Sequence, residues 1–288
     1  IELVTLDDRG NPTQTAANAK QLMDQGVLAL FGFYGSPQVT AAYPVIKDTD
    51  ALLFASMAAA DELRGALYPN VYSMRPGYAE EAAAIAKHAE ALGARKFAVL
   101  HGTDGESLAA LDSAERTMTS AGATLAAKAP LASANVAASV DRVMAARPES
   151  MLVISDAAGA GTAIRDLRAK GFRGPIYGFS NTGESLLADQ LGPNGAGVVV
   201  VRVVPKSDGA KLAVTRELQA DLAQAKLGKP NVYLLEGYIA ARAFTEALRR
   251  IPAKDTPTRA RLKKSIDALD DLSIGGFRVH FSEERIGS

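Results

Sequence analysis

The chain has 288 residues, 48% of them hydrophobic, with 32 Lys plus Arg against 32 Asp plus Glu and no cysteine. That length buries a substantial core without staples, as one large domain or two modest ones. The balanced charge argues against nucleic acid or an anionic membrane as partner, and the lack of thiols excludes disulfides, thiolate metal sites and cysteine nucleophiles.

The chain opens on Ile1–Leu6, which reads as a strand already under way, with no signal peptide before it. Residues are therefore expected ahead of Ile1 in the whole protein. Strand candidates then follow in order: Glu2–Leu6, Ala29–Gly32, Ala51–Phe54, Phe97–His101, Met151–Ser155, Ile176–Phe179 and Gly197–Val204. They are rich in Val, Ile, Leu and Phe with little alternation, as strands buried on both faces are. Between and after them, apolar residues recur at helical spacing over Thr13–Gln25, Ala79–Leu92, Leu108–Ala121, Val136–Ala146, Gly161–Lys170, Lys211–Ala225, Tyr233–Arg249 and Thr258–Ala268. Gly26, Gly93, Gly122, Gly171 and Gly228 stand just past helix ends, where a left-handed cap is wanted. Repeated βα units imply parallel sheets with helices on both faces. No apolar run approaches the roughly 20 residues of a membrane span.

The order of units suggests two lobes. Three run up to Met74, Arg75-Pro76-Gly77 interrupts, and a new series runs from Ala79 to Val204-Pro205. Helices alone follow, then a Gly275-Gly276 turn and the alternating segment Phe277–Phe281. A late return of helices fits a chain that crosses between lobes more than once.

No catalytic signature is present: no Walker loop, no G-x-S-x-G and no H-E-x-x-H. Gly32-Phe33-Tyr34-Gly35-Ser36 lacks the third glycine of a dinucleotide fingerprint, so no cofactor is expected. His88, His101 and His280 lack metal-ligand spacing, and no metal is expected. Small and polar residues instead recur at the carboxyl ends of strands, where open α/β sheets bind ligands. Tyr34, Gly35 and Ser36 sit at one such end, before Pro37. Ser36 is either part of an anion site or an N-cap. Ser56, Met57, Ala58 and Ala59 occupy the next, either offering backbone groups to a ligand or forming a plain loop. Thr103-Asp104 follows the strand ending at His101, and Asp156, Ser180 and Asn181 follow later strands. Asp104 and Asp156 either pair with a ligand amine or cap the next helix. Tyr233 and Glu236 open a helix, where the dipole alone favours an acid.

Several stretches together resemble the branched-chain amino-acid-type solute-binding proteins of ABC importers, which have the type I periplasmic binding fold. They are Ile1–Asp8 (IELVTLDD), Gly32–Ser36, Tyr72–Glu81 (YSMRPGYAEE), Ile176–Pro205 (containing GFSNTGESLLADQLGPNGAGVVVVRVVP), Leu235–Phe244 (LEGYIAARAF) and the closing GGFRVHFSEERIGS. Their order covers essentially the whole chain. The resemblance implies two doubly wound α/β lobes joined by a hinge. Lobe 1 would hold residues 1–75 and 206–272, with its first βα unit missing ahead of Ile1, and lobe 2 residues 76–205 and 273–288. It implies a non-catalytic, exported, periplasmic binding protein that captures a small polar ligand, an amino acid or a small or aromatic carboxylate, between its lobes. ABC permease subunits would be its partners, with no membrane insertion and a monomeric state. A ligand-sensing receptor or regulator on the same fold is the alternative. The ligand's carboxylate would lie on Ser36 and on the loop of Met57, Ala58 and Ala59, with Tyr78 also in the site. The chain departs from the pattern in three places. Ala replaces the usual Thr hydroxyl in the second loop, Thr103-Asp104 stands where an aromatic commonly stacks, and Ser180 where an acid often holds the amine. These departures put a leucine-like ligand in doubt.

Overall fold

The computed structural model describes residues 1–131 and 135–281. The last seven residues of the closing motif, 282–288, therefore lie outside the description. In chain order the elements begin with α1 (Pro12–Asp24), β1 (Leu30–Phe31), α2 (Ser36–Ala42), β2 (Leu53–Phe54), β3 (Val71–Tyr72), α3 (Tyr78–Ala91), β4 (Lys96–His101) and α4 (Gly105–Ser120). There follow β5 (Thr124–Pro130), α5 (Val136–Ala145), β6 (Ser150–Ile154), α6 (Ala157–Ala169), β7 (Ile176–Gly178), α7 (Glu184–Leu191) and β8 (Val198–Val200). The chain closes with α8 (Ala213–Ala225), α9 (Val232–Arg249), α10 (Arg259–Asp267), β9 (Leu272–Ile274) and β10 (Phe277–Val279). The five glycines expected past helix ends all have positive φ.

The chain divides into two units. Unit 1 holds Ile1–Pro76, Ser207–Pro230 and the chain from Leu234 on; unit 2 holds Gly77–Lys206 and Asn231–Tyr233. In unit 1 the strands β1, β2 and β3 form a parallel sheet in that order, with Leu30 opposite Leu53 and Phe54 opposite Tyr72. Leu52, Leu53, Phe54, Val71 and Tyr72 are fully buried. Strands this short carry little ladder energy of their own, so apolar burial on both faces holds the sheet.

Two expectations fail in this unit. Glu2–Leu6 forms no strand: its backbone has no ladder partner, and Ile1 and Leu3 stay 92% and 73% exposed. The segment instead borders an apolar groove of about 820 Å³ shared with α1, the β1 edge and the Phe244–Leu248 face of α9. The closing hairpin, assigned above to lobe 2, packs in unit 1. β9 and β10 pair antiparallel, Gly275 O accepts from Val214 N of α8 at 3.1 Å, and the Phe281 ring lies 5.5 Å from that of Phe54. Alternation along Phe277–Phe281 gave the strand, but alternation does not identify which core receives its apolar face.

Unit 2 carries a five-stranded parallel sheet in the order β5-β4-β6-β7-β8. β6 is buried at every residue, as its apolar run predicts. β5 is absent from the sequence expectations: Thr124–Pro130 is poor in β-branched residues, and it sits at the sheet edge with alternate residues exposed. Ala98, Leu100, Val140, Met151, Val153, Ile164 and Leu167 close one core beneath the helices.

Glu149 stitches the entry to this sheet. Its Oε2 accepts the backbone N–H groups of Arg95 at 2.8 Å and Lys96 at 2.9 Å, which hold the carboxyl below its ordinary pKa. A lowered folded-state pKa gives stability that is present above the unfolded value and lost as pH falls through the folded one. Glu149→Gln should therefore flatten the stability–pH curve below about pH 4. Urea midpoints measured across that range check this, and an unchanged slope would show that the two bonds do not matter.

Candidate ligand-binding loops

In unit 1 the candidate residues form one rim at the carboxyl ends of β1 and β2. Beyond the strands the two chains stay in parallel contact: Tyr34 bridges Met57, Met57 N donates to Phe33 O at 2.8 Å, and Gly35 N donates to Met57 O at 3.0 Å. Ser36 is 3% exposed, and its Oγ accepts the N–H of Ala60 at 3.0 Å. The N-cap reading of Ser36 is thus corrected: Gly35 is the cap residue, Ser36 opens α2, and its hydroxyl ties the first loop to the second. Ser56, Ala58 and Ala59 are buried, Met57 is half-buried, and Tyr34 stands 58% exposed at the edge. The Ser56 hydroxyl is buried without a protein partner.

In unit 2 the chain passes from β4 outward to β5 and then back across β4 to β6, so the order reverses between β4 and β6. At such a switch point two neighbouring loops leave the sheet in opposite directions and open a crevice. Thr103-Asp104 and Asp156 flank it, all three exposed. Both carboxylates cap helices. Asp104 accepts from Ser107 N at 2.9 Å and Ser107 Oγ at 2.6 Å, and Asp156 accepts from Gly159 N at 2.8 Å. Capping leaves each with further lone pairs, so it does not exhaust them as acceptors.

The next strand end, after β7, carries Ser180 and Asn181. The Tyr233 hydroxyl donates to Asn181 O at 2.7 Å, which ties the start of α9 to this turn. Ser180 is 2% exposed, with N–H and hydroxyl both bonded to Glu81. Sequence reading missed Glu81, although helical spacing places it on the buried face of α3 with Tyr78, Ala82 and Ile85.

Two further candidates are buried with partners inside their own units. Tyr78 is fully buried in unit 2, its ring edge-on to Phe179 at 5.1 Å and its hydroxyl donating to Glu106 at 2.7 Å. Glu236 lies in unit 1, with both oxygens bonded to Arg75 at 2.9 Å. Among the described residues no group of three or more His, Asp or Glu could hold a metal ion, and no helix is long and apolar enough to cross a membrane.

Parallel α/β units with polar loops gathered at strand carboxyl ends, one of them at a switch point, make the arrangement in which open α/β sheets bind ligands. The family model described as Periplasmic binding protein matches residues 1–285, and the chain belongs to that family. A possible leucine/isoleucine/valine-binding protein from Rhodopirellula baltica superposes with a TM-score of 0.89 at 23% identity, over 100% of this chain and 80% of that one. An extracellular ligand-binding receptor from Verminephrobacter eiseniae gives 0.87 at 24% identity, over 97% and 81%. A leucine-binding protein from Thermotoga maritima gives 0.82 at 19% identity, over 98% and 80%. These likenesses show the type I periplasmic binding fold. Among curated proteins none matches the sequence.

Proposed function

We propose that the chain is the exported solute-binding protein of an ABC importer, and that it captures an amino acid or a small or aromatic carboxylate without altering it. The observation that carries this reading is the pair of loop sets at strand carboxyl ends. One is the bridged rim of Tyr34–Ser36 and Ser56–Ala59. The other is Thr103-Asp104 and Asp156 at the β4/β6 switch point. Serine hydroxyls in the first set suit a carboxylate, and carboxylates in the second suit a donor on the ligand. Ligand contacts would favour a ligand-bound conformation only as far as affinity differs between conformations. The family and the named binding proteins that share the fold support the reading. Permease subunits would then be the partners.

Thermal-shift titration with L-leucine, L-phenylalanine and benzoate tests it. A ligand that binds the folded state alone raises the melting temperature by mass action. No shift with any of the three would remove the proposed ligand class.

Ser36→Ala should weaken binding of whichever of these compounds is bound by about 1–3 kcal/mol, because a buried polar group of the site loses a partner. Calorimetry measures this, and unchanged affinity would take Ser36 out of the site.

A further inference from the structure

The turn after β7 is gripped from below by a buried acid. Glu81 is 1% exposed, and each of its two oxygens accepts from Ser180. Oε2 accepts the backbone N–H of Ser180 at 2.8 Å, and Oε1 accepts its hydroxyl at 2.7 Å. A carboxylate is withdrawn from water only where charge-assisted hydrogen bonds offset the desolvation. Here two such donors belong to the residue that begins the turn.

The far end of the turn is held as well. The Tyr233 hydroxyl donates to Asn181 O, and the Tyr233 ring lies against Gly183, where an added Cβ would come within 2.7 Å of the hydroxyl. Gly183 has φ +73°, so it can make the tight approach that a side chain would block. Between these two grips stands Asn181, half-buried. Ser180 has spent its N–H and hydroxyl inward, while Asn181 Oδ1 and Thr182 Oγ1 are buried without a protein partner, and of these two residues only Asn181 is partly exposed.

We infer that Glu81 is a positioning residue of the binding site: it fixes the Ser180–Thr182 turn so that Asn181 is presented in one orientation. The inference rests on the reading of this turn as ligand-facing. Glu81 acts through geometry, and its charge is not the agent.

That distinction sets the test. In Glu81→Gln the amide oxygen still accepts the Ser180 N–H, and the amide nitrogen donates to the serine oxygen, which can accept. The grip survives without the charge. In Glu81→Ala both bonds are lost. Amide exchange at Ser180 should speed up about tenfold or more in Glu81→Ala and stay within about threefold in Glu81→Gln, with the β4 amides unmoved in both.

Calorimetry with L-leucine, L-phenylalanine and benzoate supplies the second readout. Any of them that binds the unaltered protein should lose about tenfold in affinity with Glu81→Ala and little with Glu81→Gln. Unchanged Ser180 exchange in Glu81→Ala overturns the inference. So does faster exchange with unchanged affinity, and so does an equal loss of affinity in both variants, which would make the charge the agent. If none of the three compounds binds the unaltered protein, the ligand class proposed above fails, while Ser180 exchange still decides whether Glu81 holds the turn. Glu81→Met, which fills the space without an acceptor, replaces the alanine variant should that one not fold.

Discussion

Arg75→Ala should lower the unfolding free energy of unit 1 by about 3–5 kcal/mol, and Glu236→Ala by a similar amount, because each leaves a buried charge without its partner. Arg75 is 3% and Glu236 6% exposed, and the guanidinium meets the carboxylate in parallel: Nε to Oε1 at 2.9 Å and Nη2 to Oε2 at 2.9 Å. This two-bond fork is the geometry in which Arg and a carboxylate interact most strongly. Replacing both at once, with Arg75→Met and Glu236→Leu, should cost far less than either alanine change, since no charge is then stranded. Urea unfolding followed through amide exchange of β2 measures all three variants. Single losses below about 1 kcal/mol would mean that water reaches the pair.

The pair's place in the chain gives the loss a further meaning. Arg75 comes just before the chain leaves unit 1 at Pro76, and Glu236 just after it returns at Leu234. The ion pair therefore fastens an outgoing and an incoming stretch together on the unit 1 side. Arg64 reinforces the outgoing stretch by donating to the carbonyls of Arg75 and Pro76. The sequence leaves Glu236 open between a ligand role and simple stabilisation near a helix start. Only the fold shows that an arginine 161 residues away meets it.

What could be read from the sequence follows from where the information lies. Helices carry a local signature, and the expected spans Ala79–Leu92 and Val136–Ala146 fall within a residue of α3 and α5 at either end. Strands buried on both faces are legible through unbroken apolar runs, as at Phe97–His101 for β4 and Met151–Ser155 for β6. Edge strands are not, and β5 was missed because half its side chains face water. Glu2–Leu6 failed for the opposite reason: it has a strand's composition, but a strand exists only with a partner to bond. The same limit governs the site. Carboxyl-end loops can be located from the order of elements, whereas the inward grip of Glu81 on Ser180 joins residues 99 apart and leaves no local trace. Ser36 shows both cases: the sequence shows a polar residue at a strand end, and only the register of two loops turns it toward Ala60.

Phe54→Ala should cost about 3–5 kcal/mol, the loss expected for an aromatic side chain removed from a fully packed core. Phe54 is fully buried at the centre of a ring cluster, with centroids 6.1 Å from Phe31, 5.5 Å from Phe244 and 5.5 Å from Phe281. Those rings come from β1, from α9 and from the segment after β10, so one side chain joins three distant parts of the sequence. Phe281 is fully buried too, lies 6.0 Å from Tyr72, and donates its N–H to Leu269 O at 3.0 Å. Because the two phenylalanines are in contact, removing both should cost less than the sum of the single losses, with a coupling of about 0.5–3 kcal/mol. Unfolding of the single and double alanine variants, again followed at β2, measures the coupling. Additive losses would return the hairpin to the assignment the sequence suggested, with Phe281 packed elsewhere. Coupled losses would mean that the end of the described chain completes the core its first strands began.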